Sequence, residues 1–147
     1  KQHGITVDQS LILGDSFGEQ NGYACTKELL TRRNDVTAIW TASSLVAMGV
    51  LRAISEADLT VPRDMSIVCF DDPAFADFLV TPMPAVAQDN AEMGRTAVRL
   101  LLDRMSDARM GNAEVKELQN VFLPTRLRER ASVGPPRTSN TGKLTGE

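Results

Sequence analysis

Short apolar runs and stretches of three-to-four periodicity alternate along this chain. Ser10-Leu11-Ile12-Leu13, ending in Gly14-Asp15, predicts a first buried strand. Residues 21–33 place Tyr23, Thr26 and Leu30 on one side and Lys27, Glu28 and Arg32 on the other, which predicts a helix. Thr37 to Thr41 is the second strand, with Trp40 expected in the core. Ser43 or Ser44 then caps a helix whose apolar stripe is Ala47, Met48, Leu51 and Ile54, and Asp58, able to adopt the left-handed conformation, closes it. Pro62 stops helix propagation, and the apolar run Ser66 to Phe70 is a third strand buried on both faces.

A long connection rich in proline, residues 73–84, leads to Ala85-Val86-Ala87-Gln88. Asp89-Asn90-Ala91-Glu92 has the spacing of a capping box and opens a helix with Met93, Ala97, Leu100, Leu101 and Met105 on its inner face. Residues 110–117 read as a polar loop. Val121-Phe122-Leu123 begins a last strand-like region that Pro124 turns into an edge or a bend. From Gly134 the chain is a tail of Gly, Pro, Ser, Thr and Asn expected to be disordered. Strand alternating with helix predicts an α/β fold with a parallel sheet flanked by helices, and such a sheet binds small molecules at the carboxyl ends of its strands.

Composition narrows this. A chain of 147 residues, 42% hydrophobic, can bury one core but is short for two full lobes, so it reads as one lobe with pieces of another. It starts at Lys1 without an initiator Met, and Lys1 to Gly4 reads as the end of a helix with a glycine cap; the expectation is a fragment. A formal charge of −3 with no basic run argues against DNA binding by this chain, because phosphate contacts need a basic patch. No apolar stretch could span a bilayer. Cys25 and Cys69 are too few for a zinc site or a disulfide framework and read as buried thiols in a reducing compartment.

The candidate chemistry lies at strand ends. Asp71 follows the third strand, and a carboxylate there can accept two hydroxyl hydrogen bonds, as vicinal diols of a sugar or ribose require; capping a backbone turn is the alternative. Asp72 points the other way in an extended chain and is expected to orient the Pro73 turn. Asp15, Ser16 and Phe17 follow the first strand, where Phe17 is either a stacking aromatic or a core residue. Phosphoryl chemistry on Asp15, Asp71 and Asp72 lacks a glycine-rich phosphate loop, and no Gly-x-Ser-x-Gly elbow or Cys-His pair is present, so no enzyme activity, catalytic residue, metal or cofactor is expected. Arg126, Arg128 and Arg130 alternate along an apparent strand and share one face, expected to be solvated.

Several pieces also carry a family resemblance. Thr-Ala-Ile-x-x-Ala-x-x-x-x-Ala-x-Gly-x-Leu-Arg-Ala (Thr37 to Ala53), Val-Pro-x-Asp-x-Ser-Ile-Val-x-Phe-Asp-Asp (Val61 to Asp72), Thr81-Pro82, Gln88, Glu92-x-Gly94 and Leu123-Pro124-Thr125 through Arg130-x-Ser132 together resemble the effector-binding core of LacI-type transcription regulators. Ser43-Ser44 stand where that family has Asn-Asp, Asp58 where a Gly is usual, and Cys69 where a Gly precedes the aromatic-Asp pair.

The resemblance implies the carboxy-terminal lobe of a periplasmic-binding-protein-like type I fold over residues 1–80, a segment 84–122 belonging to the amino-terminal lobe, a closing strand region 123–133 and a tail 134–147. It implies a sugar or nucleotide-like effector held by Asp71, Ser43, Phe17, Asn90 and Asp15 in a cytoplasmic regulator. It further implies a homodimer through Met48, Leu51, Phe78 and Leu79, and DNA contact only through a head before Lys1. A periplasmic sugar-binding protein of a transport or chemoreception system is the alternative.

Overall fold

The structure, a computed structural model, describes residues 4, 6–33, 35–109 and 119–137. The chain divides into two compact units, one of residues Lys1–Val86 with Leu127–Glu147, the other Ala87–Arg126.

In the first unit, helix α1 (Glu19–Arg32) precedes strand β1 (Ala38–Thr41), helix α2 (Ser44–Glu56) and strand β2 (Ser66–Phe70). Strand β3 (Ala85–Ala87), helix α3 (Asn90–Arg109) and strand β4 (Arg126–Arg128) follow. The sheet runs β1-β2-β3-β4; β1 pairs parallel with β2, Ala38 opposite Ser66 and Thr41 opposite Cys69, and β2 pairs parallel with β3, Cys69 opposite Ala85. Parallel pairing follows from the helical crossover between β1 and β2.

The Ser43 side chain caps α2, accepting from the Val46 N–H at 3.3 Å. Its other end closes at Asp58, left-handed at φ 53°, while Leu59 N–H returns to Ile54 O at 3.1 Å, the role expected for Asp58. Ala47, Val50 and Ile54 of α2 pack on Ile67 and Cys69 of β2, and Met65, Met83 and Ala85 complete the core. The stripe of α2 is rotated from the sequence expectation: Gly49, Val50 and Ala53 are buried with Ala47 and Ile54, whereas Met48 is exposed and Leu51 half-buried. In α1 the buried positions are Gly22, Thr26 and Leu29, with Tyr23 and Leu30 half-buried.

The reason is a glycine pair. A Cβ on Gly49 would lie 2.0 Å from Glu19 O, and one on Gly22 would lie 2.3 Å from Val46 O, so the α1 and α2 backbones touch where both side chains are hydrogen. Beside the crossing, Tyr23 Oη donates to Glu56 at 2.6 Å, and Arg52 bonds Glu56 at 3.0 Å while stacking over the Tyr23 ring at 4.5 Å.

Two further expectations about strands fail in this unit. Ser10 to Leu13 is not a buried strand: Asp8 accepts from Ser10 N and Oγ at 3.0 and 2.6 Å, which folds Gln9–Leu11 into a 3-10 turn, and Ile12 is 64% exposed. Nor is Trp40 a core residue, being 61% exposed. Along β1 and β2 the side chains alternate, so Thr41, Ile67 and Cys69 meet the α2 side. Trp40 and Phe70 instead share the opposite face, edge to face at 6.4 Å.

Of the tail from Gly134, residues 134–137 lie on this unit: Gly134 N–H donates to Ser66 Oγ at 3.1 Å, and Arg137 reaches Val36 O at 3.5 Å. Residues 138–147 and the expected polar loop at 110–117 lie outside the described residues.

In the second unit, Asp89 caps α3 by accepting from Glu92 N–H at 2.8 Å, and Glu92 pairs with Arg95 at 2.9 Å, in line with the capping pattern in the sequence. The apolar positions Met93, Val98, Leu101, Leu102 and Met105 of α3 are exposed. Among the described residues no helix is long and apolar enough to cross a membrane.

Candidate functional site

The carboxyl ends of β1 and β2 bring three segments into play: the loop Gly14 to Phe17, the β1–α2 junction at Ala42-Ser43, and Asp71-Asp72 after β2. Asp15 accepts from Asn21 Nδ2 at 2.7 Å, which ties the loop to the first turns of α1. The Ser43 hydroxyl is used on both sides: it accepts from Val46 N–H and donates to Phe17 O at 3.3 Å, so the helix cap also holds the Phe17 loop. Phe17 is 68% exposed, which removes it from the core.

A groove of about 690 Å³ runs beside this loop. Asp15, Phe17, Asn21, Trp40 and Thr41 line it, together with apolar groups of α1 and α2. Cys25 also lines it and is only half-buried, against the expectation of two buried thiols; Cys69 is buried, and burial pushes its thiol pKa up. The groove therefore unites Asp15 and Phe17, and Ser43 touches that loop. Asp71 and Ser43 are not among its lining residues, and Asn90, the exposed first residue of α3, belongs to the second unit.

Asp71 has a φ of 67°, in the left-handed region that Asp enters more readily than most residues with a Cβ, as Asp58 also does. Its N–H donates to Val86 O at 3.1 Å.

The residue after it is a carboxylate anchored by two arginines. Asp72 receives Arg130 Nη1 at 2.8 Å and also Arg128 Nη1. Arg130 in turn donates through Nε to Asp77 at 2.7 Å and through Nη1 to Met83 O at 2.9 Å. The Arg130 and Asp72 side chains are only 9% and 15% exposed. Arg128 and Arg130 are thus not a merely solvated face, and Asp72 does more than orient a turn. The sequence carried a signal for this cluster in the alternating arginines, which lacked only a visible acidic partner.

Burial works to raise the Asp72 pKa, but the hydrogen bonds from Arg130 and Arg128 outweigh it and hold the carboxyl below its ordinary value. The folded state then keeps Asp72 ionised where the unfolded chain, near a pKa of about 3.9, takes up a proton. Its stabilisation is present above that value and is lost as pH falls through the lower folded pKa. Thermal melts should show Asp72→Asn well below the parent at pH 7, with the gap narrowing below pH about 4. A gap independent of pH would contradict the ion-pair role.

Among the described residues no three His, Cys, Asp or Glu side chains gather to hold a metal ion.

Three comparisons place this arrangement among known proteins. Residues 1–133 match the periplasmic binding protein-like domain family. The chain is 32% identical over 129 residues to the HTH-type transcriptional repressor PurR of Haemophilus influenzae, covering 88% of this chain and 38% of that protein. A transcriptional regulator CelR–cellobiose complex superposes with a TM-score of 0.78 at 34% identity, over 89% of this chain and 38% of that one. A LacI family regulator of Enterococcus faecium with bound ribose superposes with a TM-score of 0.70 at 30% identity, over 83% of this chain and 42% of that one. This chain thus spans about two fifths of the length of these relatives. A parallel sheet with candidate groups at its strand ends, matched from Lys1 through Val133, means that the chain belongs to the periplasmic binding protein-like domain family, among the effector-binding domains of LacI-type transcription regulators.

Proposed function

We propose that this chain senses a sugar or similar polyhydroxylated metabolite for a transcription regulator of the cytoplasm, and that Asp71 is its principal hydroxyl acceptor. The observation that carries the reading is Asp71 itself: a left-handed carboxylate residue directly after the buried strand β2, at the edge where parallel sheets hold ligands. Relatives of the same fold carry ribose and cellobiose, which supports a polyol as the ligand class. In this reading Phe17 and Asp15 supply the wall of the site. Ser43 contributes mainly by fixing the Phe17 loop, since its hydroxyl already serves two partners. No reaction is catalysed, and DNA is engaged through a part of the regulator other than this chain.

Calorimetric titration with ribose and with cellobiose tests the assignment. Asp71→Ala is expected to weaken whichever sugar the parent binds by about 2 kcal/mol, the scale of a hydrogen bond to a charged group. Undiminished affinity would remove Asp71 from the site.

The regulator acts as a homodimer, which a two-fold operator requires. Met48 and Leu51 on α2, with Phe78, form the proposed contact: Met48 and Phe78 are 41% and 86% exposed. Leu51 and Leu79 both pack partly against the unit's own core, so they support Met48 and Phe78 rather than stand as free anchors. Met48→Glu with Phe78→Glu should shift the protein to monomer in sedimentation velocity, with its melting temperature lowered only as far as dimer formation stabilises the fold. An unchanged sedimentation coefficient would move the interface elsewhere.

A further inference from the structure

Asp71 holds a left-handed backbone conformation, open to aspartate more than to most residues with a Cβ, and contacts flank it on both sides. On one side its N–H is bound to Val86 O at 3.1 Å on the neighbouring strand. On the other, the next residue is fixed by a buried guanidinium that reaches three separate elements: Asp72 after β2, Asp77 of the turn Ala76–Phe78, and Met83 O just before β3. A residue at positive φ persists where flanking contacts over-determine it. Here those contacts flank Asp71: one holds its own N–H, and the others hold the side chain of the residue that follows it.

We infer that Arg130 is a positioning residue for Asp71: by binding Asp72, Asp77 and Met83 O together, it holds the backbone that aims the ligand-accepting carboxylate. The inference rests on the reading of Asp71 as a ligand group. Arginine suits the task because its planar fork offers several donors in fixed directions, and here Nε and Nη1 are both engaged. Lysine keeps the charge and three donors, but all on one nitrogen at the end of a flexible stem, so it cannot reproduce the separate, fixed directions of Nε and Nη1. Asp77 lies exposed at the outer end of this chain of contacts, so it steadies Arg130 and contributes less than Asp72.

Arg130→Lys tests this in the intact chain with two readouts. Amide hydrogen exchange needs no ligand: the Asp71 N–H should exchange roughly tenfold or more faster than in the parent, while the amides of Val50 and Ile54 in α2 keep their protection. Unchanged exchange at Asp71 overturns the inference. Equal acceleration at Val50 and Ile54 also overturns it, since that is general destabilisation. The second readout is calorimetry with ribose and cellobiose on the parent, Arg130→Lys, Asp71→Asn and the double variant. Arg130→Lys is expected to weaken sugar binding about tenfold in the parent background and to change nothing further once Asp71 is Asn, because a residue acting through another shows a non-additive cycle. Additive losses overturn the positioning role and leave the site intact. If Asp71→Asn binds as the parent does, the site reading fails by itself, and exchange alone decides whether Arg130 holds the Asp71 backbone. If the fork variant does not fold, Asp72→Asn replaces it in both readouts; since that substitution also lowers overall stability, the Asp71 N–H is then expected to gain more exchange than Val50 and Ile54, and an equal gain overturns the inference.

Discussion

Gly49→Ala is expected to destabilise the first unit by about 3 kcal/mol, the upper range for forcing atoms into a packed interior. The added methyl would meet Glu19 O at 2.0 Å and Tyr23 N at 2.5 Å, both backbone atoms that cannot rotate away. Helix propensity acts the other way, since Ala favours a helix interior over Gly by about 1 kcal/mol, and the steric term is larger. Gly22→Ala should behave alike, because its Cβ would meet Val46 O at 2.3 Å. The two substitutions together should cost less than their sum, since separating the helices once relieves both contacts. Urea unfolding followed by circular dichroism measures this. A midpoint for Gly49→Ala equal to or above that of the parent would mean that α1 and α2 do not cross backbone to backbone.

Ile67→Ala and Trp40→Ala form the second test, and their order matters more than either value. Ile67 is fully buried at the centre of β2 against Ala47, Val50 and Ile54, and its truncation should cost about 2 to 5 kcal/mol through lost burial and the cavity left behind. Trp40 is the larger side chain and would dominate if size alone counted. With 61% of it exposed and one edge-to-face contact to Phe70, its removal should cost only about 1 kcal/mol. Thermal melts of the two variants decide the ranking. Were Trp40→Ala the more damaging, the outer face of β1 and β2 would have to be covered.

Met48 shows how far periodicity reaches. The spacing around α2 is enough to predict the helix, a serine cap at Ser43 or Ser44, of which the structure uses Ser43, and its end at Asp58, because each depends on neighbours within a turn or two. Which side of the stripe faces inward was not visible in that spacing. Gly49 and Ala53 carry little hydrophobic signal, yet they turn inward because α1 approaches closely there, and Met48 is turned out. The second helix opening, at Asp89 and Glu92, was legible for the same local reason.

The candidate site divides along the same line. Asp71 could be placed at a strand end from the sequence because the apolar run before it does form a strand, whereas the same pattern before Asp15 does not. That Phe17 is exposed beside a groove, and that Ser43 serves the Phe17 loop as well as its own helix, depends on segments 26 residues apart meeting.

The sequence by itself determined the α/β alternation, the strand β2, the helix caps and the position of Asp71, all of which follow from side-chain spacing and backbone preference over a few residues. Only the tertiary structure decided that Leu11 and Ile12 form no strand, that Trp40 lies on the outer face and that Arg130 locks Asp72. A strand exists only where another strand pairs with it. A face is core only where something covers it. A guanidinium becomes a buried clamp only when a carboxylate 58 positions away in the chain is folded against it.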